Sequence, residues 1–174
     1  MSGATEEPYD GVFGAFPYAV RASESWAFRL YALVATLVSL AIAVTVAMGL
    51  VVLMADTAGA GGGVFAFSRS MFVLVAFGAV TPLIAPILLV ARRHRRDEPV
   101  SDRYDAALAG TGVVFLLMLY AGLIISTPTP LQSDVGGVAG PLIESLYRLP
   151  QLAGFGPPIL GATLVGVAHW YLRG

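Results

Sequence analysis

Long apolar runs alternate with short polar segments along the chain, and four of these runs have the composition of membrane-spanning helices. About twenty residues of helix, at roughly 1.5 Å per residue, cross the hydrocarbon core of a bilayer. The runs predict spans at about residues 30–55, 70–91, 105–126 and 152–172. We therefore expect an all-α membrane protein built as a four-transmembrane-helix bundle.

The last run is the weakest of the four. Residues 157–172 alone are too few to cross the core, and including residues 151–156 places glycines and a proline pair within the span. We expect this span to begin with a kinked or partly unwound turn. A re-entrant segment is the alternative.

Two further segments are candidates for short amphipathic interfacial helices. Residues 141–149 place apolar side chains on one helical face and charged side chains on the other. Residues 11–21 put aromatic side chains beside Arg21, which suits either a stretch in the headgroup region or a loop packed under the bundle. The predicted organisation is an N-terminal cytoplasmic or interfacial segment, 1–29, followed by a four-span transmembrane domain, 30–174.

The composition supports a membrane protein and argues against several other classes. Of the 174 residues, 57% are hydrophobic and 12% are charged, against about 25% charged residues in soluble domains. The net charge of −1 provides no basic footprint for nucleic acid, and a chain without cysteine has no disulfide or thiolate site. The expected partner is the lipid bilayer, with other membrane subunits or a second copy of the chain as further candidates.

The basic residues, all of them arginine, are distributed unevenly between the two sides that four spans create. Cytoplasmic loops of membrane proteins carry an excess of Lys and Arg. If the loop after the second run is cytoplasmic, eight arginines lie on the cytoplasmic side and two on the other. The eight are Arg21, Arg29, Arg92, Arg93, Arg95, Arg96, Arg103 and Arg173, and the two are Arg69 and Arg148. We predict a multi-pass protein of the cell membrane with cytoplasmic N and C termini.

Four arginines follow the second run directly: Arg92, Arg93, Arg95 and Arg96. They could contact anionic lipid headgroups, at about 1 kcal/mol for each arginine near the surface. They could equally be a topology signal and nothing more. The second interpretation is favoured, because the arginine bias already accounts for the cluster.

The residues that catalysis or a cofactor would need are scattered. His94 stands among arginines, and His169 lies beside Trp170 and Tyr171 at the expected interface. A haem or a metal ion needs ligands that face one another, usually inside a bundle. We therefore predict no cofactor, no metal site and no enzymatic activity.

Small residues recur at every fourth position of the first run, at Ala35, Ser39, Ala43 and Ala47. A face of small residues lets two helices approach closely in a membrane. The first interpretation is packing within the bundle, and the second is contact with a partner helix.

Several motifs resemble an uncharacterised family of haloarchaeal membrane proteins. They are Gly14-Ala-Phe-Pro-Tyr-Ala-Val-Arg, Ser25-Trp-Ala-Phe-Arg-Leu-Tyr, Phe67-Ser-Arg-Ser, Ala91-Arg-Arg-His-Arg-Arg, Asp102-Arg-Tyr-Asp-Ala-Ala-Leu and Ile125-Ser-Thr-Pro. The resemblance covers most of the chain and implies a multi-span membrane protein of unassigned activity. It therefore carries over no functional residues.

The features together favour a small integral membrane protein that is a non-catalytic accessory or scaffold subunit of a membrane complex. Its small size, small-residue helix faces and uncharged helix interiors support this expectation. The alternative is a small channel or transporter acting as a homo-oligomer, with hydroxyl groups and backbone carbonyls along its path. An enzyme is least favoured, because enzymes need convergent ionisable groups.

Overall fold

The computed structural model describes residues 11–58, 63–96 and 102–172. It contains six α-helices within those residues: α1 Gly11–Ala22, α2 Trp26–Asp56, α3 Gly63–His94, α4 Asp102–Ile125, α5 Gly140–Tyr147 and α6 Gly156–Leu172. Short 3₁₀ turns occupy Thr129–Leu131 and Gln151–Phe155. The described part of the chain has no strand, which confirms the all-α prediction.

Four segments are long and apolar enough to cross a membrane, as the pattern of the sequence predicted. They are Trp26–Asp56, Gly63–His94, Arg103–Ile125 and Gln151–Leu172. The last span begins irregularly, as expected, but its start is the more tightly wound 3₁₀ turn Gln151–Phe155, which leads directly into α6. The chain divides into two compact units, Met1–Ala109 and Gly110–Gly174, and α4 runs through both.

The helices α2 and α3 extend beyond the uncharged runs, and an arginine near the start of each bonds to a backbone carbonyl just past the end of the preceding helix. Ser25 caps α2, its side-chain oxygen accepting from the backbone N–H of Phe28 at 3.3 Å. Arg29, within the first turn of α2, donates from Nε to the carbonyl of Ser23 at 2.9 Å. Arg69 in α3 donates from Nη2 to the carbonyl of Thr57 at 3.3 Å, at the C-cap of α2. A cation at a helix C-terminus stabilises the orphan carbonyls there.

The core of the first unit lies at one end of the α2–α3 hairpin. On α2 the buried residues fall between Phe28 and Ala35, near its start, and on α3 they fall between Leu83 and Ala91, near its end. The helix α1 packs against both and buries Ala15 and Ala19. The N-terminal segment, a candidate interfacial helix from its sequence, is a helix and packs on α3; its depth in a membrane stays a prediction.

One hydrogen bond joins α2 to α3 inside this core. The hydroxyl of Tyr31 donates to the carbonyl oxygen of Leu83 at 2.6 Å, and both residues are buried. In a medium of low dielectric constant, a buried donor without an acceptor is costly. The bond therefore fixes the register between the two long helices.

Replacing Tyr31 with phenylalanine removes this bond and leaves the packing volume nearly unchanged. We expect the free energy of unfolding in bicelles to fall by about 0.5–1.5 kcal/mol. Tyr120→Phe is the matched control, because Tyr120 is 62% exposed on α4 and should tolerate the same change. Equal stability of the two variants would show that the interhelical bond contributes nothing.

Glycines hold the second unit together by letting backbones approach closely. A Cβ added to Gly161 on α6 would lie 3.0 Å from Cα of Phe115 on α4. A Cβ added to Gly154 would lie 2.6 Å from the carbonyl oxygen of Gly122. Only glycine fits such contacts without displacing backbone, so α4 packs directly against the 3₁₀ turn and α6.

The predicted amphipathic segment 141–149 is a helix, α5, bounded as Gly140–Tyr147. Pro141 stands in its first turn, where the missing N–H has no intrahelical partner in any case. Gly137, with φ of +84°, turns the chain just before the helix. A Cβ at Gly140 would collide with the carbonyl of Val135, so the approach to α5 requires glycine at both positions.

Candidate functional site at the α3–α4 corner

The end of α3 and the start of α4 bring four polar side chains together. These residues, Arg93, His94, Tyr104 and Asp105, are called the corner cluster below. Nε2 of His94 lies 3.0 Å from Oδ2 of Asp105. An ionised carboxylate only accepts hydrogen bonds, so in this contact Nε2 of His94 carries the hydrogen.

Burial separates the members of the corner cluster from the exposed arginines around them. The side chain of Asp105 is 1% exposed and that of His94 is 19% exposed. Tyr104 is also buried. The guanidinium of Arg93 stacks over the Tyr104 ring, with Cζ 4.4 Å from the ring centroid, a geometry that stabilises a cation against an aromatic face.

The helix ends favour an acceptor on α4 and a hydrogen-bond donor on α3. Asp105 lies in the first turns of α4, near the partial positive charge of a helix N-terminus. His94 is the last residue of α3, where the partial negative charge of the helix end favours a donor. The contact between them therefore joins two helix ends of opposite polarity across the loop.

One atom of the corner cluster is left without a hydrogen bond. Oδ1 of Asp105 is buried and has no hydrogen-bond partner among the described residues. Leaving a buried acceptor unsatisfied costs free energy. The hydrogen bond between Oδ2 and His94 is therefore the polar contact that stabilises the buried carboxylate of Asp105.

The arrangement suits a structural contact between helices better than a site for a ligand. No group of three or more His, Cys, Asp or Glu side chains within the described residues could hold a metal ion. The His94–Asp105 pair lies between the end of α3 and the start of α4 and is mostly buried. Its direct effect is to tie α3 to α4.

The four arginines at this corner differ in burial. Arg93 is half-buried against Tyr104. Arg92, Arg95 and Arg96 are exposed. Contact of the four arginines with lipid headgroups stays a prediction.

The four small residues of the repeating pattern on α2 also differ in burial. Ala35 is buried and Ser39 half-buried, whereas Ala43 and Ala47 are exposed. Each step of four residues advances about 40° around a helix, so three steps carry the face about 120° away from Ala35. Whether Ala43 and Ala47 pack against another helix stays a prediction.

Sequence reasoning missed the contact between His94 and Asp105. It interpreted His94 as one side chain in an arginine-rich loop and Asp105 as the boundary of the third run. A signal was nevertheless present, because a histidine ends one span and a carboxylate begins the next. Ionisable residues at the edge of a membrane span are costly unless they are paired.

Comparison with known proteins places the chain in one family. The DUF8056 family, described as a domain of unknown function, matches residues 2–173. No curated protein and no solved structure matches the chain. A match over nearly the whole length, together with four helices able to span a bilayer, shows that the chain belongs to the DUF8056 family as a multi-span membrane protein.

Proposed function

We propose that this protein is a non-catalytic accessory or scaffold subunit of a membrane complex. The observation that carries the proposal is the uneven burial of the α2–α3 hairpin. Its fully buried helix residues are confined to one end, and much of the remainder of both helices is apolar and exposed. Such a hairpin offers other helices a long surface within the bilayer.

The uncovered part of α2 has the residue types that membrane helices use to associate. Lipid tails solvate exposed leucine and valine side chains, so the exposure of these side chains does not by itself require a partner protein in a bilayer. Ala43 and Ala47 are different, because small side chains let a second backbone come close enough for strong van der Waals contact. We propose this part of α2 as the contact with another membrane subunit.

The hydroxyl groups of the spans support a scaffold over the channel alternative. Thr36 donates to the carbonyl of Ala32 at 2.7 Å, and Thr163 donates to the carbonyl of Ile159 at 2.8 Å. Ser68 and Ser70 bond in the same way to carbonyls four residues earlier. The hydrogens of these four hydroxyl groups are used within their own helices, so these groups have no donor left for a passing solute.

The absence of catalysis is part of the proposal. Among the described residues, His94 and Asp105 form an ionisable pair, and they contact each other between helix ends. Acyl, phosphoryl or hydride transfer needs groups that converge on a cleft where a substrate can bind. A buried interhelical contact gives a substrate little access.

We further propose that both termini are cytoplasmic and that the protein has a haloarchaeal origin. The exposed arginines Arg92, Arg95 and Arg96 at the end of α3 support the orientation, because cytoplasmic loops are enriched in Arg and Lys. The motifs of the sequence and its lack of lysine support the origin.

Purification from the native membrane tests the scaffold proposal. The tagged protein, extracted in a mild detergent, should retain a defined set of companion proteins. The double variant Ala43→Leu/Ala47→Leu should lose them, because bulkier side chains hold the two backbones apart.

Ala41→Leu is the matched control for that double variant. Ala41 is exposed on the same helix but lies about 160° around it from Ala43. It should leave the companions bound. A protein that purifies without any companion, or that loses companions equally in all variants, would refute the proposed interface.

A further inference from the structure

The helix α5 carries three different faces around its axis. At about 100° per residue, Ile143, Leu146 and Tyr147 share one side of the helix, and all three are half-buried. The polar residues Glu144, Ser145 and Arg148 share the opposite side and are exposed. Between these faces lies Leu142, and Leu149 follows two residues after the helix end; the two leucines are called the third face.

The third face is apolar and yet uncovered. Leu142 is 63% exposed and Leu149 is 44% exposed. The exposure continues into the 3₁₀ turn that follows, where Leu152 is 80% and Phe155 is 53% exposed. A short segment with this many exposed large apolar side chains is unfavourable in water.

The position of α5 in the chain determines which surface it meets. It stands between the end of α4 at Ile125 and the start of the last span at Gln151. If both segments cross the bilayer, as their length and composition indicate, the connection between them is held at one membrane surface. The exposed Leu152 and Phe155 belong to the last span itself, so the apolar face of α5 leads into a surface that lipid covers.

We infer that α5 and the 3₁₀ turn after it form an interfacial anchor. The anchor lies in the membrane surface at which α4 ends and the last span begins, and it inserts Leu142, Leu149, Leu152 and Phe155 into lipid. The half-buried face rests on protein, the polar face meets headgroups and water, and the third face enters the acyl region. Interfacial helices bury their apolar face about 5–10 Å into this boundary. Glu144 and Arg148 have opposite charges, so the anchor requires no particular charge on the lipid headgroup.

The natural absence of cysteine makes a direct test of depth simple. Single cysteines at Leu142→Cys and Leu149→Cys, labelled with an environment-sensitive fluorophore, would be compared with Glu144→Cys and Ser145→Cys on the polar face. The purified protein would be reconstituted in phosphatidylcholine vesicles that contain a lipid with a nitroxide on its acyl chain. Aqueous iodide is the second quencher, and Leu123→Cys on α4, 62% exposed in the wild type, is the lipid-facing reference.

We expect lipid quenching at positions 142 and 149 to be several-fold stronger than at 144 and 145, and close to that at 123. Iodide should give the reverse order. Equal iodide quenching at all four α5 positions would overturn the inference by placing the third face in water. Protection of positions 142 and 149 from both quenchers would overturn it as well, because a second copy of the chain would then cover this face. Leu152→Cys provides an additional position in case either leucine variant fails to fold.

Discussion

The Gly154→Ala variant should lose about 2–3 kcal/mol of unfolding free energy, a large effect for the addition of one methyl group. The new Cβ would lie 2.6 Å from the carbonyl oxygen of Gly122 and closer still to Oγ of Ser126. The carbonyl of Gly122 is held by the backbone of α4, and the hydroxyl of Ser126 is held by donating to the carbonyl of Gln151 at 3.4 Å. The 3₁₀ turn would have to move away from α4, which opens the contact at the start of the last span.

An uncrowded glycine inside α6 provides the control. A Cβ on Gly166 would meet nothing within 4 Å, and no proline follows it in the helix. Gly166→Ala should therefore be neutral or slightly stabilising, because alanine favours a helix over glycine. Thermal unfolding in detergent micelles compares the variants, and similar melting temperatures for both would contradict the close contact of α4 with the 3₁₀ turn.

The Asp105→Ala variant should lose about 2–4 kcal/mol, since it removes a hydrogen bond to an ionic group and a carboxylate near the N-terminus of α4. His94 would remain half-buried without its acceptor at 3.0 Å. Asp134→Ala, which removes an exposed acidic residue in the loop after α4, should change stability by less than about 0.5 kcal/mol.

A double-mutant cycle with His94→Ala isolates the contact between the two side chains. The two substitutions should be coupled by at least about 1 kcal/mol, because residues in direct contact are not additive. Additive losses would show that Asp105 stabilises the fold through the α4 N-terminus alone. The corner cluster would then not tie α3 to α4.

The hydrophobic pattern predicted the main elements of this fold well, because crossing a bilayer imposes a length and a composition on each helix. It placed the four apolar segments and α5 close to where the structure has them. The ends of α2 and α3 were less predictable. Arg29 and Arg69 interrupt the apolar pattern, yet both lie inside helices, and each bonds to a backbone carbonyl just past the end of the preceding helix.

The tertiary contacts were harder to predict, because they depend on how helix faces meet rather than on periodicity. Ala35 lies on the packed side of α2 and Ala47 does not, although both belong to one four-residue pattern. The pairing of His94 with Asp105 depends on the close approach of two helix ends across a polar loop. Neither relation is contained in the local sequence of a single helix.

The central claim of four crossings is tested most directly by the accessibility of single cysteines in a chain that has none of its own. One cysteine would be introduced at each of five exposed positions: Glu24, Ala58, Arg96, Ser133 and Tyr171. A membrane-impermeant maleimide applied to intact cells should label positions 58 and 133, and should label positions 24, 96 and 171 only after the cells are opened. Labelling of position 171 from outside would show that the last segment is re-entrant, and labelling of 96 and 133 from the same side would contradict the crossing of α4.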